Sequence, residues 1–330
     1  MIMGLAGWLV IKNISTNIAD HKAESIIENA YKDEPPENDN EKIIAITREV
    51  FEGFTQMDPG KVPLLRLRSY VTNRRLPEFL RLPTGVIETN IQKGLCDNAS
   101  RMLAFTLDRE GFKSVQWNMV TDKAGHSALL VTMPDGEKIL ADPFYGVVTK
   151  DEHKKLINPL KAKEIVLSGK PLEHVFVPLT KKSNLSFYKG IANMSMASEG
   201  EDMILEAILP KIENTPLFLG EINGEDRDVQ IDAAKYNMTP YWNYLGHKYN
   251  REWVRVLKAE QPVRLVITLV EEAEKGVITS DKEPEVSGKT LTWHLKNRES
   301  LTFRDGLSKI SFKRLNSYIG VDQIAIYPDK

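Results

Sequence analysis

The periodicity of apolar side chains changes from helical to strand-like in the segment that follows Cys96. After Cys96, apolar residues recur at helical intervals, at Ala99, Leu103 and Leu107. Gly111 then ends the pattern. This spacing predicts a helix of about 14 residues with Cys96 in its first turn. Residues 114–120 then alternate between apolar and polar side chains, which is typical of a strand.

An apolar run headed by His126 is followed by the turn Pro134-Asp135-Gly136 and by a return strand that ends at Asp142. Proline at the first turn position and glycine at a left-handed position favour a three-residue hairpin loop with a bulge. Such a loop pairs Met133 with Glu137. Asp142 then lies on the same face of the sheet as His126, and the backbones of these two residues are about 7 Å apart. A two-residue loop would send Asp142 to the opposite face of the sheet. The turn therefore predicts a contact between an imidazole and a carboxylate.

Helical patterns precede this segment. Residues 18–31 form one candidate helix, and residues 43–54 carry apolar side chains on one face of a second helix. Residues 2–11 are an apolar run of ten residues, whereas a membrane-spanning helix needs about 20. We interpret this run either as a buried strand or helix, or as the remnant of a membrane anchor or signal. The second interpretation favours membrane association and an extracytoplasmic location in the cell envelope.

After Asp142 the pattern predicts that a first domain closes and that an all-β domain follows. Strands are expected at residues 165–167 and 175–179, and the polar residues 180–184 form the expected boundary. Beyond this boundary, regularly spaced strands separated by turns predict a β-sandwich, with strands at residues 203–209, 253–257, 263–270, 291–295, 310–313 and 323–327.

Two further segments each allow two interpretations. Residues 61–93 mix arginine with leucine, which suits short helices with solvated arginines or a basic rim that attracts an anionic substrate. Residues 241–249 are rich in aromatic side chains, which suits packing on the sandwich or a platform on which a sugar stacks.

The composition adds few constraints. The chain has 330 residues, with 42% hydrophobic and 27% charged residues, which is ordinary for a soluble globular protein of about two domains. A net charge of −2 gives no reason to expect a nucleic-acid partner. A single cysteine excludes an intrachain disulfide and a thiolate metal cluster, and the other histidines lack the spacing of metal ligands. We therefore expect no metal in the site and no cofactor.

The single cysteine occupies a position that suits a nucleophile. The free N–H groups and the positive dipole end of a helix favour a thiolate and can hold an oxyanion. Gly94, two positions earlier, lets the backbone approach closely. Alone, Cys96 would be a small buried residue and His126 a structural one, and the competing carboxylate Asp135 already has a role in its turn. Together, Cys96, His126 and Asp142 are the parts of a cysteine acyl-transfer enzyme.

Residues 94–146 resemble the core of the transglutaminase-like superfamily, a branch of the papain-like cysteine enzymes. The residues that carry the resemblance are Gly94, Cys96, Ala99, Gly111, His126, Asp142 and Pro143. The resemblance implies an α+β protein in which residues 13–182 form a transglutaminase-like catalytic domain behind the N-terminal segment 1–12. It also implies that Cys96 is the nucleophile, His126 the general base and acid, and Asp142 the group that orients the histidine.

The chain departs from this family at two places. Ser127-Ala128 follow the histidine where many relatives have Ala-Trp, and Trp8 is the only tryptophan before Cys96. A tryptophan that assists the oxyanion hole is therefore not expected, and either Asn90 or Gln92 is left as a side-chain donor.

The closing residues 318–326 resemble the last strand of jelly-roll, galactose-binding-like modules. This resemblance implies an all-β, jelly-roll-type sandwich over residues 183–330, in which a glycan could bind. By the same resemblance Asp322 would lie near a structural calcium ion, although we favour its absence.

These observations predict cysteine-dependent acyl transfer on amide or peptide carbonyls through a thioester, with water or an amine as acceptor. The expected partner is a protein or peptide substrate. The alternative is a non-catalytic envelope protein that binds a glycan or a protein and keeps the three side chains as a relic.

Overall fold

Helices and strands both contribute to the fold, so the chain is an α+β protein, as expected. The computed structural model describes residues 2–65, 71–72, 77–121, 125–198, 203–209, 212, 217–221, 253–269, 272, 280–304 and 321–329. The chain divides into two units, the first comprising Met1–Met119 with Gly125–Ala192 and the second Val120–Ala124 with Asn193–Lys330.

The first unit combines helices with one antiparallel sheet. Its fully described helices are α1 (Ile2–Tyr31), α2 (Asp39–Gly53), α3 (Val86–Ile91), α4 (Cys96–Arg109), α5 (Pro159–Leu167) and α6 (Leu172–Val175). The 3₁₀ turns are Pro59–Lys61, Glu78–Leu80 and Phe187–Asn193. The strands are β1 (Thr55–Gln56), β2 (Lys93–Gly94), β3 (Lys113–Val120), β4 (Gly125–Thr132), β5 (Lys138–Asp142), β6 (Val147–Thr149) and β7 (Phe176–Pro178).

The sheet brings the expected site elements next to one another. Strands β3 to β7 follow the order β7-β6-β5-β4-β3, and the short strands β1 and β2 pair in parallel. One face of α4 packs with α2 and with β4 and β5 in a common apolar core that includes Ile43, Ile46, Leu103, Leu107, Val131 and Ile139. The apolar stripe of α4 therefore fixes the start of this helix against the sheet.

The N-terminal apolar run belongs to one long helix. α1 spans Ile2–Tyr31, so the interpretation of residues 2–11 as a strand is wrong. The indole Nε1 of Trp8 donates to the carbonyl of Leu80 at 2.9 Å, and Ala19 and Ala23 are fully buried. Among the described residues, no helix has the length and apolar character that crossing a membrane requires. The envelope location stays a prediction.

The strand predicted at residues 165–167 is wrong, because these residues end helix α5. The Asn158 side chain accepts a hydrogen bond from the backbone N–H of Lys161 at 2.8 Å, and proline occupies the first helical turn. These helix-start signals outweigh the strand preference of the β-branched residues that follow. The strand expected at residues 175–179 is present as β7, with residues 172–175 in α6.

The described part of the second unit consists mainly of strands. They are β8 (Ser195–Ser198), β9 (Met203–Leu209), β10 (Leu217–Glu221), β11 (Trp253–Ala259), β12 (Val263–Leu269), β13 (Glu285–Ser287), β14 (Thr290–Leu295), β15 (Ser300–Arg304) and β16 (Val321–Pro328). Two of its sheets have the orders β10-β16-β12-β14-β13 and β15-β11-β9. The buried rings of Trp293 and Phe303, one from each sheet, meet edge to face at 5.4 Å.

Five of the six strands predicted for the second unit match β9, β11, β12, β14 and β16. The sixth, at residues 310–313, lies outside the described residues, as do the aromatic segment 241–249 and residues 318–320. The pair β11–β9 is parallel. The jelly-roll topology stays a prediction.

Candidate active site

Cys96 is the first residue of α4, and its side chain is partly exposed. The predicted helix of 14 residues is confirmed, and Gly111 adopts a left-handed conformation (φ +82°) just past its end. The hydroxyl of Ser100 lies 2.9 Å from the carbonyl oxygen of Cys96 and 3.0 Å from that of Ser127. Ser100 therefore ties the first turn of α4 to the strand that carries His126.

Gly94 lets the backbone approach the side chain of Asn98 closely, as its position two residues before Cys96 predicted. Its φ of +146° is a conformation that side chains disfavour, and a Cβ atom at this position would lie 2.4 Å from Oδ1 of Asn98. That oxygen accepts a hydrogen bond from the backbone N–H of Leu95 at 3.0 Å. A side chain at position 94 would displace the amide that holds the residue just before Cys96.

The hairpin has the register that its turn predicted. Thr132 pairs with Lys138 and Leu130 with Leu140, and the backbone N–H of Met133 donates to the carbonyl of Glu137 at 2.7 Å. Gly136 takes the left-handed conformation at φ +84°. The three-residue loop is confirmed, and it sets which face of the sheet Asp142 occupies.

His126 and Asp142 form a buried pair. The imidazole Nε2 lies 2.8 Å from Oδ2 of the carboxylate, and the two side chains are 2% and 0% exposed. The same oxygen accepts a hydrogen bond from the hydroxyl of Tyr188 at 2.6 Å. The other oxygen, Oδ1, accepts from the backbone N–H groups of Phe144 at 3.0 Å and Tyr145 at 3.2 Å. Four donors therefore satisfy a carboxylate that water does not reach.

The pKa values of the pair shift so that both groups are charged at neutral pH. Burial disfavours the imidazolium, but the charge and hydrogen bond of Asp142, together with the nearby Cys96 side chain, raise the pKa of His126 from 6.5 to about 9. Burial acts against the carboxylate too, but the imidazole and the Tyr188 hydroxyl hold the pKa of Asp142 below its usual value. Because Nε2 is bound to Asp142, Nδ1 is the ring nitrogen available to the thiol.

Aromatic rings surround the imidazole. The ring centroids of Tyr145 and Phe187 lie 4.6 and 4.9 Å from that of His126, and those of Phe144 and Tyr188 lie 5.9 and 6.4 Å away. They come from the turn after Asp142 and from the 3₁₀ turn Phe187–Asn193. These rings exclude water from the imidazole on the carboxylate side, which strengthens the electrostatic interaction of the pair.

Sequence reasoning missed Tyr188 and Phe187, because it placed a domain boundary at residues 180–184. In the structure this segment returns to the site. The hydroxyl of Ser183 donates to the carbonyl of Gly146 at 2.7 Å, and the backbone N–H of Asn184 donates to the carbonyl of Tyr145 at 3.0 Å. The adjacent aromatic pair just beyond the polar residues was the signal that could have extended the first domain.

The two side chains expected as oxyanion donors differ in their surroundings. The amide Nδ2 of Asn90 donates to the carbonyl of Ser15 in α1 at 2.9 Å, so it is already occupied. In the described part of the chain no hydrogen bond engages the side chain of Gln92, which is partly exposed. The backbone N–H of Cys96, at the first helical position, has no acceptor within its own helix.

Within the described ranges, no three histidine, cysteine, aspartate or glutamate side chains are grouped so that they could hold a metal ion. Asp322 lies in β16, but its side chain is outside what the structure describes. The calcium expectation therefore stays a prediction.

Comparisons with known proteins leave the family open. No protein-family model and no curated protein matches the chain. A solved structure described as a TGase is similar at 16% identity over 40% of this chain and 32% of its own, with a TM-score of 0.27. A solved structure of a candidate protease from Parabacteroides distasonis is similar at 9% identity over 97% of this chain and 58% of its own, also with a TM-score of 0.27. The chain thus spans about a third and somewhat over half of these proteins, and likenesses this distant assign neither fold nor activity.

Proposed function

We propose that this protein catalyses cysteine-dependent acyl transfer on amide or peptide carbonyls, within a transglutaminase-like, papain-type domain. The observation that carries the proposal is the buried pair of His126 and Asp142, in which Nε2 of the imidazole lies 2.8 Å from Oδ2 of the carboxylate, with the Cys96 side chain near enough to raise the pKa of the histidine. A nucleophile, a base and a group that orients the base are the parts that such a reaction needs.

The first half of the reaction forms a thioester. The Cys96 thiolate attacks the carbonyl carbon of the substrate, and the carbonyl oxygen becomes an oxyanion. The backbone N–H of Cys96 and the amide of Gln92 are the donors proposed to hold it, since Asn90 is occupied. His126 then gives its Nδ1 proton to the leaving amine, the carbon–nitrogen bond breaks, and an acyl-enzyme remains.

The second half regenerates the enzyme. Water or an amine attacks the thioester carbonyl while Nδ1 of His126 takes its proton, and the thiolate of Cys96 leaves. Throughout, the Asp142 carboxylate accepts the hydrogen bond from Nε2 and so keeps the ring in one orientation. We propose hydrolysis as the main outcome and a protein or peptide as the substrate.

Mass spectrometry of the intact protein tests the proposal. The chain has one cysteine, so an acetyl adduct that neutral hydroxylamine removes is a thioester at Cys96, whereas acetylated lysines resist this treatment. With p-nitrophenyl acetate as probe, we expect a burst of p-nitrophenol and a transient, hydroxylamine-sensitive mass increase of one acetyl group, both absent in Cys96→Ala. A hydroxylamine-sensitive adduct that persists in Cys96→Ala, or a wild-type protein that never forms one, would contradict the proposal.

A further inference from the structure

We propose that Tyr188 is a positioning residue of this site: its hydroxyl holds the Asp142 carboxylate so that His126 is oriented yet still able to release its proton. This inference rests on the proposed function. It assigns a role to a side chain that lies 46 positions after Asp142, beyond the expected domain boundary.

The first argument is that Tyr188 and His126 share one acceptor atom. Oδ2 of Asp142 lies 2.6 Å from the tyrosine hydroxyl and 2.8 Å from the imidazole Nε2. A carboxylate oxygen that accepts one hydrogen bond interacts strongly with that donor, whereas an oxygen that accepts two interacts less strongly with each of them. The hydroxyl therefore weakens the hold of Asp142 on the imidazolium proton. A histidine that is held too strongly would be a poor acid for the leaving amine.

The second argument is that the hydroxyl is a fixed donor. Tyr188 is fully buried and its ring stacks on Phe176 at 4.5 Å, which restricts rotation. Burial and the neighbouring Asp142 raise the pKa of Tyr188 well above 10, so the hydroxyl keeps its proton wherever the site is active. A protonated hydroxyl beside an acceptor-only carboxylate can only donate.

The third argument is that the segment carrying Tyr188 is bound to the turn that carries the other two donors. Ser183 and Asn184 hydrogen-bond to the carbonyls of Gly146 and Tyr145. A Cβ atom at Gly146, which adopts φ +67°, would lie 2.7 Å from the Ser183 hydroxyl. This close contact fixes the distance between the turn that follows Asp142 and the 3₁₀ turn Phe187–Asn193. It therefore fixes the position of Tyr188 relative to Asp142.

Tyr188→Phe in the full chain tests the inference, because it removes the donor and keeps the ring. The rate at which iodoacetamide labels Cys96 is measured from pH 5 to 10.5. The upper inflection of this profile reports proton loss from His126 and is expected near pH 9 in the wild type. In Tyr188→Phe it should move up by about 0.5 to 1 pH unit. With p-nitrophenyl acetate, kcat should fall between about tenfold and hundredfold with little change in KM.

Tyr31→Phe is the matched control, since it also removes one tyrosine hydroxyl and keeps the ring, at a side chain that packs against the apolar core and makes none of the four hydrogen bonds to Asp142. It should leave both the upper inflection and kcat at their wild-type values. If Tyr188→Phe loses stability but keeps the wild-type inflection and kcat, Tyr188 is a packing residue and the inference is wrong. If the wild type itself lacks the upper inflection, the proposed cysteine–histidine pair fails, whatever Tyr188 does.

Discussion

In the described part of the chain, two histidine–aspartate pairs have almost equal lengths, and each unit contains one of them. His126 Nε2 and Asp142 Oδ2 are 2.8 Å apart, and His294 Nδ1 and Asp329 Oδ2 are 2.7 Å apart. The first pair is 2% and 0% exposed, whereas the second is 45% and 30% exposed. Distance therefore does not distinguish them, and burial does.

The surroundings of the two carboxylates differ as well. Asp142 accepts four hydrogen bonds in an apolar setting, and the Cys96 side chain helps to raise the pKa of its histidine. At the other pair, a second carboxylate, that of Glu285, lies 3.7 Å from Nε2 of His294. Water screens an exposed pair, so its contribution to the free energy of unfolding is small. A buried pair keeps its full electrostatic interaction, and losing one partner leaves an unpaired charge.

The largest difference is expected in catalysis. His126→Ala should lower the rate of p-nitrophenyl acetate turnover by about 10²- to 10⁴-fold, because it removes the general base and acid. His294→Ala is the matched control and should change the rate by less than about twofold. Equal effects of the two variants, measured at pH 7.5 with folding checked by circular dichroism, would remove the catalytic distinction between the pairs.

A second difference is expected in stability. Asp142→Ala should cost about 3 to 5 kcal/mol of the free energy of unfolding, since the buried imidazolium and three other donors lose their acceptor. Asp329→Ala should cost no more than about 0.5 kcal/mol, because its pair is exposed. Urea denaturation of both variants at pH 7 measures this difference. A cost for Asp142→Ala as small as that of Asp329→Ala would mean that burial does not strengthen the pair.

A smaller and more specific difference is expected in the pH dependence of stability. The pKa of His126 is raised in the folded state, so its contribution is complete below pH 6.5 and is lost as the pH rises towards 9. The full loss corresponds to about 3 kcal/mol. His126→Gln should flatten the decrease in stability between pH 6.5 and 9, as measured by urea denaturation across this range. The prediction fails if His126→Gln keeps the wild-type slope.

Local rules predicted much of the candidate site. Helical spacing after Cys96 and the stop at Gly111 predicted the bounds of α4, and the turn Pro134-Asp135-Gly136 predicted the register that Asp142 shares with His126. These features depend on residues close together in the chain. Helix-start signals at Asn158 and Pro159 were also local, but the apolar residues 165–167 were interpreted by strand preference, and that interpretation was wrong.

Non-local contacts could not be predicted in the same way. The hydrogen bond between Tyr188 and Asp142 joins residues 46 positions apart, and no periodicity encodes it. Likewise, Asn90 appeared equivalent to Gln92 in the sequence, and only the contact with Ser15 in α1 separates them. The polar residues 180–184 resembled a linker, yet their side chains and backbone bind the turn beside Asp142. Polar composition predicts exposure, not the end of a domain.

The central claim is that the imidazole of His126 activates the thiol of Cys96. The most direct measurement is the pH profile of iodoacetamide labelling, which reports Cys96 alone because the chain has one cysteine. At neutral pH we expect the wild type to be labelled at least about tenfold faster than His126→Ala, because an imidazolium beside the thiol favours the reactive thiolate. Labelling rates that coincide in the two proteins across the profile would contradict the claim.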